Sequence, residues 1–131
     1  MASWDDVRRI ALALPGTTEE VCRDGHRTVR VRDTGYAWER PLGRADLAEL
    51  GDAAPDGPVL AVRVPDTARR TALIAGSPGV FFTTEHFDNH PTVLVRLDAI
   101  GVDELAGLLR EAHAHRAPLP ALRAVPLAQA G

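Results

Sequence analysis

Apolar positions recur along this chain with two different periods, and the alternation between them predicts the order of its elements. Trp4, Val7, Ile10, Ala11 and Leu14 are spaced three and four apart, which places them on one face of a helix over residues 4–14. Ser3 stands where a hydroxyl can cap that helix, Asp5 and Asp6 lie in its first turn, and Pro15-Gly16 ends it. The period then shortens. HRTVRVR over residues 26–32 is rich in β-branched residues with polar alternation, and Asp33-Thr34-Gly35 can turn it into a second strand, Tyr36 to Arg40. Pro41 closes that strand, a short helix is predicted from Asp46 to Leu50, and Gly51 stops it before a loop over 52–58.

The second half repeats the scheme. Val59 to Val64 is a short apolar run between Pro58 and Pro65, as a central strand would be, and Asp66 caps a helical stretch that runs to Ala75. Val80 to Thr84 and Thr92 to Leu97 are predicted strands flanking the polar loop Glu85 to Pro91. A last helix over 103–116 carries Leu105, Leu108, Leu109 and Ala112 on one face and ends before Pro118. The resulting order predicts an α+β fold: one mostly antiparallel sheet of about five strands, with the helices gathered on one face and the two terminal helices side by side. One domain over residues 1–117 and a flexible tail over 118–131 are expected.

Composition narrows the classes. At 131 residues, 45% hydrophobic and 25% charged, the chain matches one average globular domain. No apolar run reaches the ~20 residues of a membrane helix, and the first fourteen residues lack a signal peptide's pattern, so a cytoplasmic protein with no membrane partner is expected. Cys22 is the single cysteine, which excludes an internal disulfide and a cysteine-based zinc site. The net charge of −3 is opposite in sign to the overall field of a nucleic-acid binder, so contact with DNA would have to be local. All fifteen basic residues are arginine. That fits either guanidinium recognition of phosphate and carboxylate or a coding bias across an alanine-rich chain.

Several stretches taken together resemble the MmcQ/YjbR family of small bacterial proteins. They are the opening WDDVRRIALALPGTTEE, the central ERPLGRADLAELGDAAPDGPVLAVRVPD, and SPGVFFTTEHFDNHPTVLVRLDAI, which together span Trp4 to about Arg116. The resemblance implies an α+β fold of the type shared with frataxin-like proteins, in a double-wing arrangement, and a DNA-binding role. Family members usually read close to FFTTPHYDGYP, whereas here Glu85, Phe87, Asn89 and His90 replace Pro, Tyr, Gly and Tyr. Glu85 brings negative charge to a loop that would approach phosphate.

Five groups of residues bear on candidate chemistry. Arg27, Arg30, Arg32 and His26 concentrate positive charge on the first predicted hairpin, as an anion- or DNA-binding site or as a solvated outer face. Strand alternation puts His26, Arg30 and Arg32 on one face and Arg27 on the other. Tyr36 and Trp38 would share a face, and with Arg63, Phe82, His86 and Arg96 they could line a cleft for a flat small molecule. His86, Asp88 and His90 alternate in HFDNH, the spacing of a metal site or an enzymatic loop, but the turn-forming Asn89 and Pro91 favour self-bonding of Asp88, and no metal is expected there. Cys22 near His26 lacks a legible oriented base and oxyanion site, so it reads as a partly buried small residue, while His113 and His115 read as solvent-facing. No catalytic residue and no cofactor are assigned. The function expected is a non-enzymatic binding protein for DNA, with a binder of a flat small molecule as the alternative and an enzyme using the His86, Asp88 and His90 loop as a third option.

Overall fold

Residues 2–116 are described by a computed structural model of the chain. The predicted tail over 118–131, with Met1 and Ala117, lies outside the described residues. Helix α1 (Trp4–Leu12) is followed by strands β1 (Thr17–Val21), β2 (Arg27–Val31) and β3 (Thr34–Glu39), then by helix α2 (Arg44–Leu50). Strand β4 (Val59–Arg63), helix α3 (Thr67–Gly76), strands β5 (Phe81–Phe82) and β6 (Thr92–Arg96), and helix α4 (Val102–Arg116) complete the order. The strands form one sheet in the order β1-β2-β3-β4-β6-β5, with every neighbouring pair antiparallel.

The α+β architecture is as expected, with a sixth strand added at one edge. β1 is TTEEV, a mostly exposed strand whose side chains make no apolar alternation, so its strand character comes from its pairing with β2. Glu19 and Glu20 put negative charge on this edge, which disfavours pairing with another chain.

α1 and α4 pack together on one face of the sheet, as predicted. Trp4, Val7 and Ala11 of α1 and Leu105, Leu108, Leu109 and Ala112 of α4 join Val29, Val31, Leu60, Val62, Val93 and Val95 in one core, onto which α3 lays Leu73 and Ile74. The expectation that all helices share this face needs correction. α2 sends Leu50 to the opposite face, where it packs with Leu42 and Trp38 against Val59, Ala61, Phe82, Phe87 and Leu94. β4 is buried on both sides for this reason, which accounts for the unbroken apolar run Val59 to Val62.

At the start of α1, the Asp6 carboxylate accepts from the Ser3 amide at 3.0 Å and lies 3.3 Å from the Ser3 hydroxyl. The acidic residue reaches back to the cap, complementing the helix dipole as it does so. The β2–β3 turn falls at Arg32 and Asp33, one residue before the predicted one. Both residues have positive φ (51° and 65°), the backbone of a two-residue hairpin turn whose twist matches its strands.

β3 also contains a bulge. Val29 pairs with Ala37 and Arg30 with Gly35, so Tyr36 is the extra residue. The bulge turns Tyr36 and Ala37 both toward the helices and restores the alternation at Trp38, which faces α2. Tyr36 and Trp38 therefore lie on opposite faces, a correction to simple alternation.

Candidate functional site: a cleft at the end of the sheet

At one end of the sheet, β2 and β4 begin while β3 and β6 end. The chain leaves β3 through Arg40, whose amide donates to Val59 O at 3.0 Å, and leaves β6 through Leu97, whose amide donates to Pro58 O at 3.1 Å. Three prolines, Pro41, Pro55 and Pro58, cannot supply ladder donors and hold the loops clear of the strand ends. An open cleft of about 270 Å³ remains, floored by Leu60 and Leu97, walled by Trp4, Leu42 and Val59, and reached at its rim by Leu47. Leu47 is 47% exposed, one of few large apolar side chains left so open.

Three polar side chains also reach the cleft: His26, Glu39 and Arg40. Glu39 lies across from Arg27 and accepts from the Arg27 amide at 2.7 Å, from Nε at 3.1 Å and from Nη2 at 2.9 Å. The Arg27 guanidinium also stacks over the Trp4 ring at 5.2 Å, while the Trp4 indole N–H donates to Glu19 at 2.9 Å, a carboxylate shared with Arg8. Bonding from Arg27 holds the Glu39 carboxyl below its ordinary value, against the opposing effect of burial, and the pair raises Arg27 in turn. Arg40 donates to Asp46 at 3.3 Å and to Pro41 O, and lies over the Phe87 ring at 5.4 Å. His26 is set by the β1–β2 turn, where its amide donates to Asp24 Oδ1 and its Nδ1 lies 2.9 Å from Asp24 Oδ2.

Glu39 and Arg40 are thus occupied by internal partners, and the walls are apolar. A prediction follows from the Glu39 pairing. Its folded pKa is depressed, so the stability it supplies is present above the ordinary carboxylate pKa and is lost as pH falls through the folded value. Glu39→Gln should lower stability by about 1–2 kcal/mol at neutral pH. The gap to wild type, followed by urea unfolding, should narrow as pH falls below that range.

Of the residues singled out from sequence, only His26 lines the cleft. Arg27 borders it through Glu39 and Trp4. Arg30 donates to Glu20 at 2.9 Å and to Asp33 O at 2.6 Å, while Arg32 stands exposed at the hairpin turn. Tyr36 is fully buried among the helices, bonded to Thr17 at 2.8 Å. Arg63 stacks on Trp38 at 5.6 Å and Arg96 on Phe82 at 4.8 Å, with Arg96 donating to Ala53 O. These pairs and the exposed His86 lie outside the cleft.

The HFDNH segment is not extended. Residues Glu85–Phe87 form a 3₁₀ turn, and among the described residues no three His, Cys, Asp or Glu side chains converge as metal ligands would. Two further corrections concern single residues. Cys22 is exposed. His113 is buried, with Nε2 2.7 Å from Pro15 O and its ring edge-on to Tyr36 at 5.8 Å, because α4 turns that position toward the bulge.

Sequence reasoning missed Trp4, Glu39, Leu42, Leu47 and Val59 as cleft residues. Trp4 and Val59 carried the signal of core positions, and the proline spacing 41, 55, 58 was the available hint of loops held apart.

An antiparallel six-strand sheet with paired terminal helices on one face places the chain in the α+β class. The YjbR family model matches residues 12–115, and the chain belongs to that family. It is 47% identical over 121 residues to Uncharacterized protein Rv2570 of Mycobacterium tuberculosis and to Uncharacterized protein Mb2600 of Mycobacterium bovis, covering 90% of this chain and 91% of each relative. Its fold is similar to the crystal structure of Deinococcus radiodurans protein DR2400, a DUF419 domain, with a TM-score of 0.64 at 24% identity, covering 86% of this chain and 77% of that one. Among the described residues no helix is long and apolar enough to cross a membrane.

Proposed function

We propose that this protein is a non-enzymatic binding protein whose cleft takes a small, flat, largely apolar and uncharged molecule. The observation that carries this reading is the cleft itself: apolar walls around about 270 Å³, just below the ~300–1,000 Å³ range of ligand pockets and so suited to a small ligand. Its charges are mutually neutralised, since Glu39 is held by Arg27 and Arg40 by Asp46. A charged ligand would therefore leave water without gaining a partner, whereas an uncharged ring loses little. His26 supplies one polar contact to orient it.

The DNA reading rests on the arginines of the first hairpin, but there Arg27 and Arg30 are engaged by Glu39 and Glu20. Phosphate would have to displace those carboxylates. A cytoplasmic setting fits both readings.

Indole serves as the test probe, with binding followed by calorimetry. Leu47→Glu puts a charge at the apolar rim on an exposed position, so the fold should persist while indole affinity falls by about tenfold or more. Equal affinity in wild type and variant, or no binding by either, would remove the cleft as the site.

A further inference from the structure

The floor of the cleft is bordered by an acceptor that its internal partner does not saturate. Glu39 is paired in register with Leu60, so its side chain rises beside the Leu60 floor, on the face of the sheet that carries Trp4. Arg27 approaches from β2 on the other side, and its donors are shared unequally. The amide and Nε both go to Oε1, whereas Oε2 takes Nη2 alone. A carboxylate oxygen offers two lone pairs, so among the described residues Oε2 keeps one acceptor position open. The Glu39 side chain is 26% exposed, enough for water to reach that position while the cleft is empty of ligand.

The other polar side chains of the cleft differ. Arg40 directs its guanidinium to Asp46 and over the Phe87 ring, and His26 lies in the β1–β2 turn beside Asp24. An apolar ring laid on Leu60 displaces the water that Oε2 would otherwise hold. A ligand with no donor of its own then leaves a charged acceptor unmet, which is costly, whereas a ligand N–H or O–H replaces the water with a charge-assisted bond. A site built around such a bond rejects an analogue without the donor far more strongly than it rejects a displaced methyl group.

Resting on the cleft reading above, we propose that Glu39 is the specificity-determining residue of the cleft. Its carboxylate, held in place by Arg27, accepts a hydrogen bond from the ligand, and the ligand class is a flat, uncharged aromatic molecule bearing a ring N–H or a phenolic O–H.

The test uses the full chain with indole, 3-methylindole and 1-methylindole, followed by calorimetry. The two methylindoles are isomers of equal size, and of the two the 3-isomer keeps the N–H. The wild type should bind 3-methylindole at least about tenfold more tightly than 1-methylindole. Glu39→Gln offers a neutral and weaker acceptor, so the ratio should shrink to about threefold or less. His26→Ala should leave the ratio unchanged. Circular dichroism establishes that each variant is folded, and if Glu39→Gln does not fold, the ratios in wild type and His26→Ala decide. Equal affinity for the two isomers in the wild type would overturn the role of Glu39 and leave the cleft as the site. A ratio that survives Glu39→Gln undiminished would also overturn it, and loss of the ratio in His26→Ala would give the ligand's donor to His26 instead. No binding by any of the three probes would remove the cleft reading and this inference with it.

Discussion

Replacing Arg70 by Met should destabilise the protein by about 3 kcal/mol, because four buried or half-buried carbonyl oxygens would lose their donor together. Arg70 sits on α3, held in place by the Asp66 cap that accepts from the Arg69 amide at 2.8 Å. Its side chain is buried, at 8% exposure, and reaches the loop between β5 and β6. Nη1 lies 2.6 Å from Phe87 O, 2.8 Å from His90 O and 3.3 Å from Thr92 O, and Nη2 lies 3.3 Å from Asp88 O. A planar fork with five donors suits several carbonyls from one centre, and lysine does not. Arg70→Lys should therefore recover less than half of the loss. Thermal unfolding should show the Met variant melting roughly 10 °C lower. A change within ~0.5 kcal/mol, the usual range for a surface site, would mean that the guanidinium does not organise this loop.

The second large effect concerns Tyr36, which the β3 bulge drives into the core. Tyr36→Ala should cost about 3–5 kcal/mol, since a fully buried aromatic ring is lost and its edge contact with His113 goes with it. Tyr36→Phe keeps the ring and removes only the hydroxyl bonded to Thr17, so about 1 kcal/mol should be lost. Burial raises the Tyr36 phenol above its ordinary pKa, partly offset by the Thr17 bond, so the stability it supplies is complete below the ordinary tyrosine pKa and is lost as pH rises from there through the raised folded value. Urea unfolding of the two variants separates packing from hydrogen bonding. Equal losses in Ala and Phe would contradict the placement of the ring.

These two residues also mark where the sequence was legible. Helices α1, α3 and α4 announce themselves through three- and four-residue spacing and stop signals, and β4 and β6 through apolar runs. β1 does not, because an edge strand that buries little needs no apolar pattern. The bulge at Tyr36 is equally silent: one unpaired residue reverses which face Trp38 occupies, and no residue type in TGYAWE demands it. The cleft was hidden for a third reason. Its walls come from α1, the end of β3, α2 and the start of β4, residues far apart along the chain that read individually as ordinary core or loop positions. The hairpin arginines were visible as charges, but the carboxylates that meet them, Glu20 and Glu39, lie on the neighbouring strands and can be assigned only once register is known.

The proposed function requires that the cleft, and not the arginine hairpin, meet a ligand. The most direct measurement is a map of backbone amide shifts in the labelled wild-type protein during titration with indole and, separately, with a short DNA duplex. Indole should move the amides of His26, Arg40, Leu42, Leu47 and Val59 saturably, while DNA at physiological salt leaves Arg30 to Asp33 unmoved. Saturable shifts at Arg30 to Asp33 with DNA, and none around the cleft with indole, would assign ligand binding to the hairpin instead.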